Sequence, residues 1–530
     1  MKVLLVNPEF PDTYWSFRHA LPFEGKRCAF PPLGLLTVSA MLPGSWERRL
    51  VDTNVRPLRS ADIEWADVVF ASAMLVQKES LRQIVELCKG HGKRVVVGGP
   101  YVSTSVEKLS AADHIFVGEA EATLPEFVRD FERGDARRIY KAAERPALSA
   151  TPIPDFQLVD LQHYSAMSVQ YSRGCPFQCE FCDIIEIYGR VPRTKSNDQM
   201  LAELDALLQA GWRGPVFIVD DNFIGNKRNV RRLLPHLAEW SERKGYPFTL
   251  MTEASVNLAE DEELLGWMRR AGFRRVFLGI ETPVEESLKE AQKGQNTRRN
   301  LLDSVKTIQS YGIEVMAGFI VGFDSDPADI FDRQIEFIRA SAIPLAMVNL
   351  LSALPDTQLW RRLERDGRLL AESTGNNSDC SLNFVPRMDA TLLVEGYKTI
   401  MRTIYRPGEF YQRALDCLTR TENDNAREAR GSSLASDVAT LARIMFALGI
   451  SDPARLEFWR YMGSVLLHHR KNFAQSMRLA AMGYHLRKLT NLYCGERNEE
   501  GYPERSGIFR RNADAFDEIG KPRVFAQTIR

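Results

Sequence analysis

Three cysteines constrain this chain more than any other feature. Cys175, Cys179 and Cys182 stand in the run Arg173-Gly-Cys-Pro-Phe-Gln-Cys-Glu-Phe-Cys182, with three and then two residues between the thiols. Iron–sulfur clusters are held by Cys thiolates, and four-iron clusters ordinarily take four of them. Three on one short loop can each hold an iron and leave the fourth open to a ligand that is not protein. An open iron can bind a substrate-like molecule and pass it one electron. The competing reading is a zinc loop or a set of buried thiols. Structural zinc sites pair two Cys-rich halves or add His ligands, and no second half stands nearby. The spacing favours a cluster.

Composition suits a large enzyme. At 530 residues the chain has room for several domains. Lys plus Arg and Asp plus Glu each total 69, so no bulk field draws it to nucleic acid or to an anionic surface. Apart from the triplet, the eight Cys are scattered, which suits a reducing compartment and predicts a cytoplasmic protein. The opening Met1-Lys-Val-Leu-Leu-Val-Asn7 reads as a strand and lacks the parts of a signal peptide. No apolar stretch approaches the length that spans a bilayer, so no transmembrane segment is expected.

The first 150 residues alternate short apolar runs with helical patterns. Strands are expected at 3–6, 49–52, 67–71, 94–97 and 114–117. A helix over 79–91 carries Leu81, Ile84, Val85 and Cys88 on one face. Continuous apolar strands separated by helices predict an α/β doubly wound parallel sheet. Ligands of such sheets lie beyond the carboxyl ends of the strands. The residues there are Asn7-Pro8, Ser72-Ala-Met-Leu-Val-Gln77, Gly98-Gly99-Pro100 and Gly118-Glu119-Ala-Glu121. The paired Gly would let backbone approach a ligand closely. Neither dinucleotide nor phosphate-loop fingerprints are present.

After a linker marked by Pro146, Pro152 and Pro154, six strand–helix units follow, with strands expected at 168–172, 216–219, 248–252, 275–280, 315–321 and 346–351. Ser196-Asn-Asp-Gln199 reads as a capping box, and Leu201, Leu204, Leu207 and Leu208 as the buried face of its helix. Gly211, Gly272 and Gly312 read as helix stops. Repeated βα units predict a parallel barrel whose functional residues gather where the strands end. Those ends carry Asp220-Asp221-Asn222, Thr252-Glu253-Ala-Ser255, Gly279-Ile-Glu281 and Gly318-Phe-Ile-Val-Gly322.

The Cys loop, with the aromatic Phe181 before its last Cys, resembles the radical S-adenosylmethionine (SAM) superfamily. The resemblance implies that the three Cys ligate a [4Fe–4S] cluster whose open iron binds SAM, within an open six-stranded (β/α)6 barrel. It further implies that Asp220 and Asp221 lie near the SAM amino group. Glu253 and Ser255 would face its ribose and carboxylate, with Glu281 nearby and Pro355-Asp-Thr357 beside adenine. Asp-Asp stands where the family has Gly-Gly-Glu, and Ser325 where a Glu is common. Placed before such a loop, the Val-Asn-Pro opening, Pro31-Pro-Leu-Gly-Leu35, Gly98-Gly99-Pro100 and Gly118-Glu119 resemble a cobalamin-binding domain. Its usual Asp-x-His-x-x-Gly is replaced by Asp52-Thr-Asn-Val-Arg-Pro57, with no His to sit beneath cobalt. The Met74–Gln77 loop is the candidate for that place. The cobalamin tail is expected along Gly98-Gly99.

From Asn383 onward amphipathic helical patterns dominate. Leu441, Ile444, Met445 and Leu448 form one stripe; Phe458, Met462, Val465 and Leu466 form another; Phe473, Met477, Leu479 and Ala480 a third. These read as core helices that cap the barrel. His468 and His469 are adjacent and so point apart. Arg505, Arg510 and Arg511 read as a solvated basic patch. The layout predicted is therefore a cobalamin-binding domain over 1–150, a radical SAM barrel over 165–370 and a helical domain over 371–530.

That order resembles cobalamin-dependent radical SAM enzymes with a helical domain after the barrel. It implies a methyltransferase that uses a 5′-deoxyadenosyl radical and methylcobalamin to methylate an unactivated carbon. A small-molecule or lipid substrate and an electron donor such as flavodoxin or ferredoxin would be its partners, and a lipid substrate would make the cytoplasmic protein peripheral to the membrane. Enzymes of this layout act on hopanoid lipids, tetrapyrroles, antibiotics and phosphonates, and hopanoid methylation is the leading specific expectation. Two alternatives stay open: a cobalamin-dependent cyclase, oxidase or rearrangement catalyst without net methyl transfer, and a non-catalytic cobalamin or iron–sulfur sensor.

Overall fold

The computed structural model describes residues 1–421 and 434–495. Met1–Cys494 forms one compact unit. Two all-parallel six-stranded sheets organise it. The first contains β1 (Lys2–Asn7), β2 (Glu47–Asp52), β3 (Val68–Ser72), β4 (Arg94–Gly98), β5 (His114–Val117) and β6 (Ile139–Lys141), in spatial order 2-1-3-4-5-6. The strand alternation divides its apolar residues cleanly. Leu4, Val6, Val69 and Val95 join one buried cluster, and Val3, Leu5, Phe70 and Val96 another. Both faces are thus covered, as continuous apolar strands require. The order reverses between β1 and β3, which opens a crevice beyond Asn7 and Ser72. β6 has no counterpart in the sequence reading. It is a three-residue edge strand in which only Tyr140 is buried, too short to show a period.

The second sheet is the barrel. Its strands are β7 (Met167–Val169), β10 (Gly214–Ile218), β11 (Phe248–Ala254), β12 (Phe273–Glu281), β13 (Glu314–Val321) and β14 (Ala346–Leu350), and a separate antiparallel ribbon pairs β8 (Ser172–Arg173) with β9 (Arg193–Thr194). No hydrogen bonds join β14 to β7, so the barrel is open. One strand departs from expectation. The run 168–172 does not stay in the sheet but leaves it after Val169. Asp220 accounts for this: its carboxylate accepts from Tyr171 N and Ser172 Oγ, both at 2.7 Å, and replaces the ladder there. The Ser196–Gln199 capping box forms, but its helix buries Met200, Glu203, Leu204 and Leu207 while Leu201 and Leu208 are only half-buried.

Helices Ala390–Ile404, Pro407–Arg420, Leu434–Phe446, Arg455–His468 and Phe473–Cys494 follow the barrel. Ile444, Leu448, Phe458, Met462, Val465, Met477, Leu479 and Ala480 are buried as expected, but Leu466 is 48% exposed. His468 is exposed and His469 buried. The last helix closes the barrel where strands begin, with Gln475 and Arg478 holding the buried Glu314 carboxylate. The segment after β1 reaches the same region. Tyr14 donates to Leu345 O at 3.1 Å, and Trp15 stacks on Phe217 with ring centroids 5.9 Å apart. The expectation of no spanning stretch meets one exception: the helical run Leu434–Ser451 is long and apolar enough by length and composition, yet only 17% of it is buried. Arg505, Arg510 and Arg511 lie outside the described residues.

Candidate active site

The Cys loop leaves the ribbon through Gly174, whose φ of 94° belongs to the left-handed region. A Cβ there would come within 2.7 Å of Gly189 O, so a side chain would push the loop from its place. Gly174 N donates to Asp221 Oδ2 at 2.9 Å, and Cys175 N to Gly189 O at 3.2 Å. Farther along, the Glu180 carboxylate is gripped by Arg362 at 2.6 Å. Cys175, Cys179 and Cys182 are free thiols, partly accessible. Amide donors address two of them: Asn222 Nδ2 lies 3.8 Å from Cys175 Sγ and Gln295 Nε2 3.7 Å from Cys179 Sγ. Among the described residues no three His, Cys, Asp or Glu side chains are grouped as a single metal ion needs.

Beside the loop, three carboxylates crowd the strand ends. Burial raises the pKa of Asp220 to about 6 and that of Asp221 to about 7. Glu253, on β11, is pushed to about 8 by burial and then by the charges of Asp221 and Asp220. Among the described residues its carboxylate has neither hydrogen-bond nor ion-pair partner. Such a carboxylate is ready to receive a cation. Ser255 is held by Asn222, which accepts from its backbone N at 3.2 Å. Glu281 sits at an irregularity between β12 and β13 with φ 65°. Its carboxylate is committed to Lys293 in a buried pair, and Lys293 Nζ lies 5.9 Å from the centre of the Phe181 ring. Asp324 is held by Arg362 and Arg368, and Asp326 by Gly322 N, Phe323 N and Ser287 Oγ. Pro355 lies in the turn that leads to Thr357, the cap of helix Gln358–Arg365.

In the first domain, Asn7 Nδ2 donates to Asp52 Oδ1 at 3.0 Å, and Gln77 Nε2 to Pro8 O at 2.6 Å. Of the Met74–Gln77 loop, Gln77 therefore turns inward while Met74 is 53% exposed. Gly98 and Gly99 lead into the short helix that Pro100 begins. Gly99 has φ 103°, and a Cβ there would meet Ser72 Oγ at 2.6 Å and Ala73 O at 2.8 Å. Its close approach is to the neighbouring strand end of the fold itself. Open space lies instead beside Gly118, where a Cβ would meet nothing within 4 Å. Gly118 N donates to Ser103 Oγ at 2.9 Å beside this space. Glu119 does not face that space. Its carboxylate pairs with Arg173 at 2.7 Å and Arg193 at 2.6 Å.

Residues 169–338 match the model of the radical SAM superfamily, 29–128 that of the B12 binding domain, and 357–499 that of a domain of unknown function. An uncharacterized methyltransferase of Synechocystis is 42% identical over 521 residues, covering 98% of this chain and 97% of the relative. The hopanoid C-2 methylase of Rhodopseudomonas palustris is 37% identical over 470 residues, 87% of this chain and 88% of that protein. The chain belongs to the cobalamin-dependent radical SAM methyltransferases. Its fold agrees. The cobalamin-dependent radical SAM enzyme OxsB, with aqua-cobalamin and SAM bound, superposes with a TM-score of 0.59 at 16% identity, over 92% of this chain and 80% of that one. The methyltransferase TsrM from Kitasatospora setae gives 0.54 at 16%, over 69% and 75%.

A radical SAM methyltransferase of this kind uses a [4Fe–4S] cluster, SAM and cobalamin, and needs a substrate and a reductant. The residues present fit these groups. Three partly accessible thiols, two with amide donors beside them, suit a cluster, the unpartnered Glu253 suits a cationic nucleoside, and the open space beside Gly118 suits a cofactor tail. Sequence reasoning placed Asn222 at a strand end but did not single out Gln295, Lys293, Arg193 or Arg362 for the site. Lys293 and Gln295 lie on an irregular stretch after a short helix, where no periodicity marks them.

Proposed function

We propose that this methyltransferase adds a methyl group to an unactivated carbon of an apolar, lipid-like substrate, with a hopanoid-like skeleton as the leading candidate. The reduced cluster and SAM would supply a 5′-deoxyadenosyl radical, and cobalamin would carry the methyl group. In this reading Cys175, Cys179 and Cys182 hold the cluster. Asp220, Asp221, Glu253 and Ser255 bind SAM, and Glu281 acts through Lys293 to support the Phe181 side of the loop. Pro355 borders adenine. Asn7, Met74, Gln77, Gly98, Gly99, Pro100 and Gly118 shape the cobalamin crevice, while Glu119 fastens that crevice to the cluster loop.

What carries the substrate class is the 37% identity, over 87% of this chain, to a hopanoid C-2 methylase. The test is anaerobic turnover joined to lipid analysis of cells with and without the gene. S-adenosylhomocysteine formed together with 5′-deoxyadenosine, and a lipid gaining one methyl, would support the reading. Formation of 5′-deoxyadenosine alone with every candidate would sink it and favour a cyclase or rearrangement.

A further inference from the structure

We propose that the helices Leu434–Phe446 and Arg455–His468 seat the enzyme on the surface of an anionic lipid bilayer, as a one-sided anchor that does not cross it. On the first helix and the turn after it, Leu434, Val438, Phe446 and Ile450 are between 58% and 80% exposed. At 3.6 residues per turn they fan over an arc of about 160°, on the half of the helix away from Ile444 and Leu448. On the second helix Leu456, Trp459, Leu466 and Leu467 are between 47% and 70% exposed. A folded surface carries single apolar residues without consequence, but a contiguous set marks an interaction site.

The other side of the first helix is fastened to the protein. Ile444 and Leu448 are buried in the main core, and Arg443 Nη1 donates to Phe23 O at 3.0 Å. A helix held along one side cannot be surrounded by hydrocarbon, although its composition would permit spanning. Charge decides which partner fits the exposed side. Residues 434–472 hold five Arg or Lys against three Asp or Glu, in a chain whose totals are equal. One of those acids, Asp452, is taken up by Arg487. Arg455 and Arg460 are exposed and have no ion pair among the described residues. Apolar stripes bordered by cations, with a Trp beside them, match the interfacial zone of an anionic membrane. A second copy of the chain would instead bring the same unpaired cations together.

This seat rests on the surface of the chain and is independent of the substrate reading, so a water-soluble substrate would leave it standing. The test is co-sedimentation of the full-length, reconstituted enzyme with vesicles of equal parts phosphatidylglycerol and phosphatidylcholine. The protein should pellet with these vesicles at about 0.1 M salt and less at about 1 M, where surface charges are screened. Phe446→Asp with Leu467→Asp should reduce binding at least about tenfold, with the circular dichroism and SAM cleavage in the absence of vesicles unchanged. Arg455→Ser with Arg460→Ser should abolish the preference over pure phosphatidylcholine vesicles. Equal pelleting of the aspartate variant would overturn the proposal. So would a dimer that this variant dissociates while neither form binds vesicles.

Discussion

Arg173, two residues before the first Cys of the loop, forms an ion pair at 2.7 Å with Glu119, which follows β5 of the first domain. The same guanidinium reaches Glu121 at 2.7 Å, and Arg193 on the ribbon holds Glu119 from the other side. All four side chains are largely buried. The domain that matches the B12-binding model is thus tied to the Cys loop by charge, and in the function proposed above this network sets the distance between the two cofactor sites.

Removing the shared cation should expose that dependence. Arg173→Ala leaves buried Glu121 without its charged partner and Glu119 with Arg193 alone, which costs about 3–5 kcal/mol. Denaturant unfolding of the anaerobically purified protein should show a loss in that range. Methyl transfer should fall more than SAM cleavage, because cleavage needs only the barrel. Equal losses of both would assign the pair to stability alone.

Cys179→Ala should abolish the broad absorption near about 400 nm that thiolate-to-iron charge transfer produces, together with all SAM cleavage. Gln295→Ala, which removes the donor 3.7 Å from Cys179 Sγ, should keep the absorption but shift the cluster's reduction potential. Electron paramagnetic resonance during a redox titration would report it.

The two adjacent glycines of the first domain should respond differently. Gly99→Val places a side chain at φ 103° and against Ser72 and Ala73, so the β3 end must move. Cobalamin uptake should fall while iron content stays near normal. At Gly98 a Cβ would stand 3.5 Å from Phe116 Cβ, ordinary contact, and Gly98→Ala should bind cobalamin normally. Normal uptake by the Gly99 variant would remove this region from the cobalamin site.

The sequence carried the architecture where periodicity exists. Both parallel sheets follow from apolar runs such as 94–97 and 315–321 and from the helices between them. The Cys loop was legible because its chemistry needs three thiols at short spacing. Glu119 and Glu281 were recognised as strand-end carboxylates, but their partners were not, since Arg173, Arg193 and Lys293 meet them through tertiary contacts with no sequence period. The end of the first barrel strand was also invisible, because Asp220, 48 or more residues away, ends it by taking over its donors. Leu466 shares the apolar pattern of a core stripe, and only the fold shows that it faces outward.

As a SAM-binding residue in the proposed function, Glu253 should make SAM binding depend on pH. Its pKa stands at about 8 in the free protein, against the usual 4.5, so it is largely protonated at neutral pH. In the free protein the raised value means that stability falls as pH rises between about 4.5 and 8 and changes no further above that. A bound cation reverses the preference and draws the carboxyl to its charged form. SAM affinity should therefore rise with pH, by up to about tenfold per unit below pH 8, and level off above it. Calorimetry at pH 7 in two buffers of different ionisation enthalpy should show close to one proton released per SAM bound. Glu253→Gln should flatten the pH profile and abolish that release while the iron content stays the same. A profile that keeps its slope in the Gln variant would move the cation contact to Asp221 or Asp220.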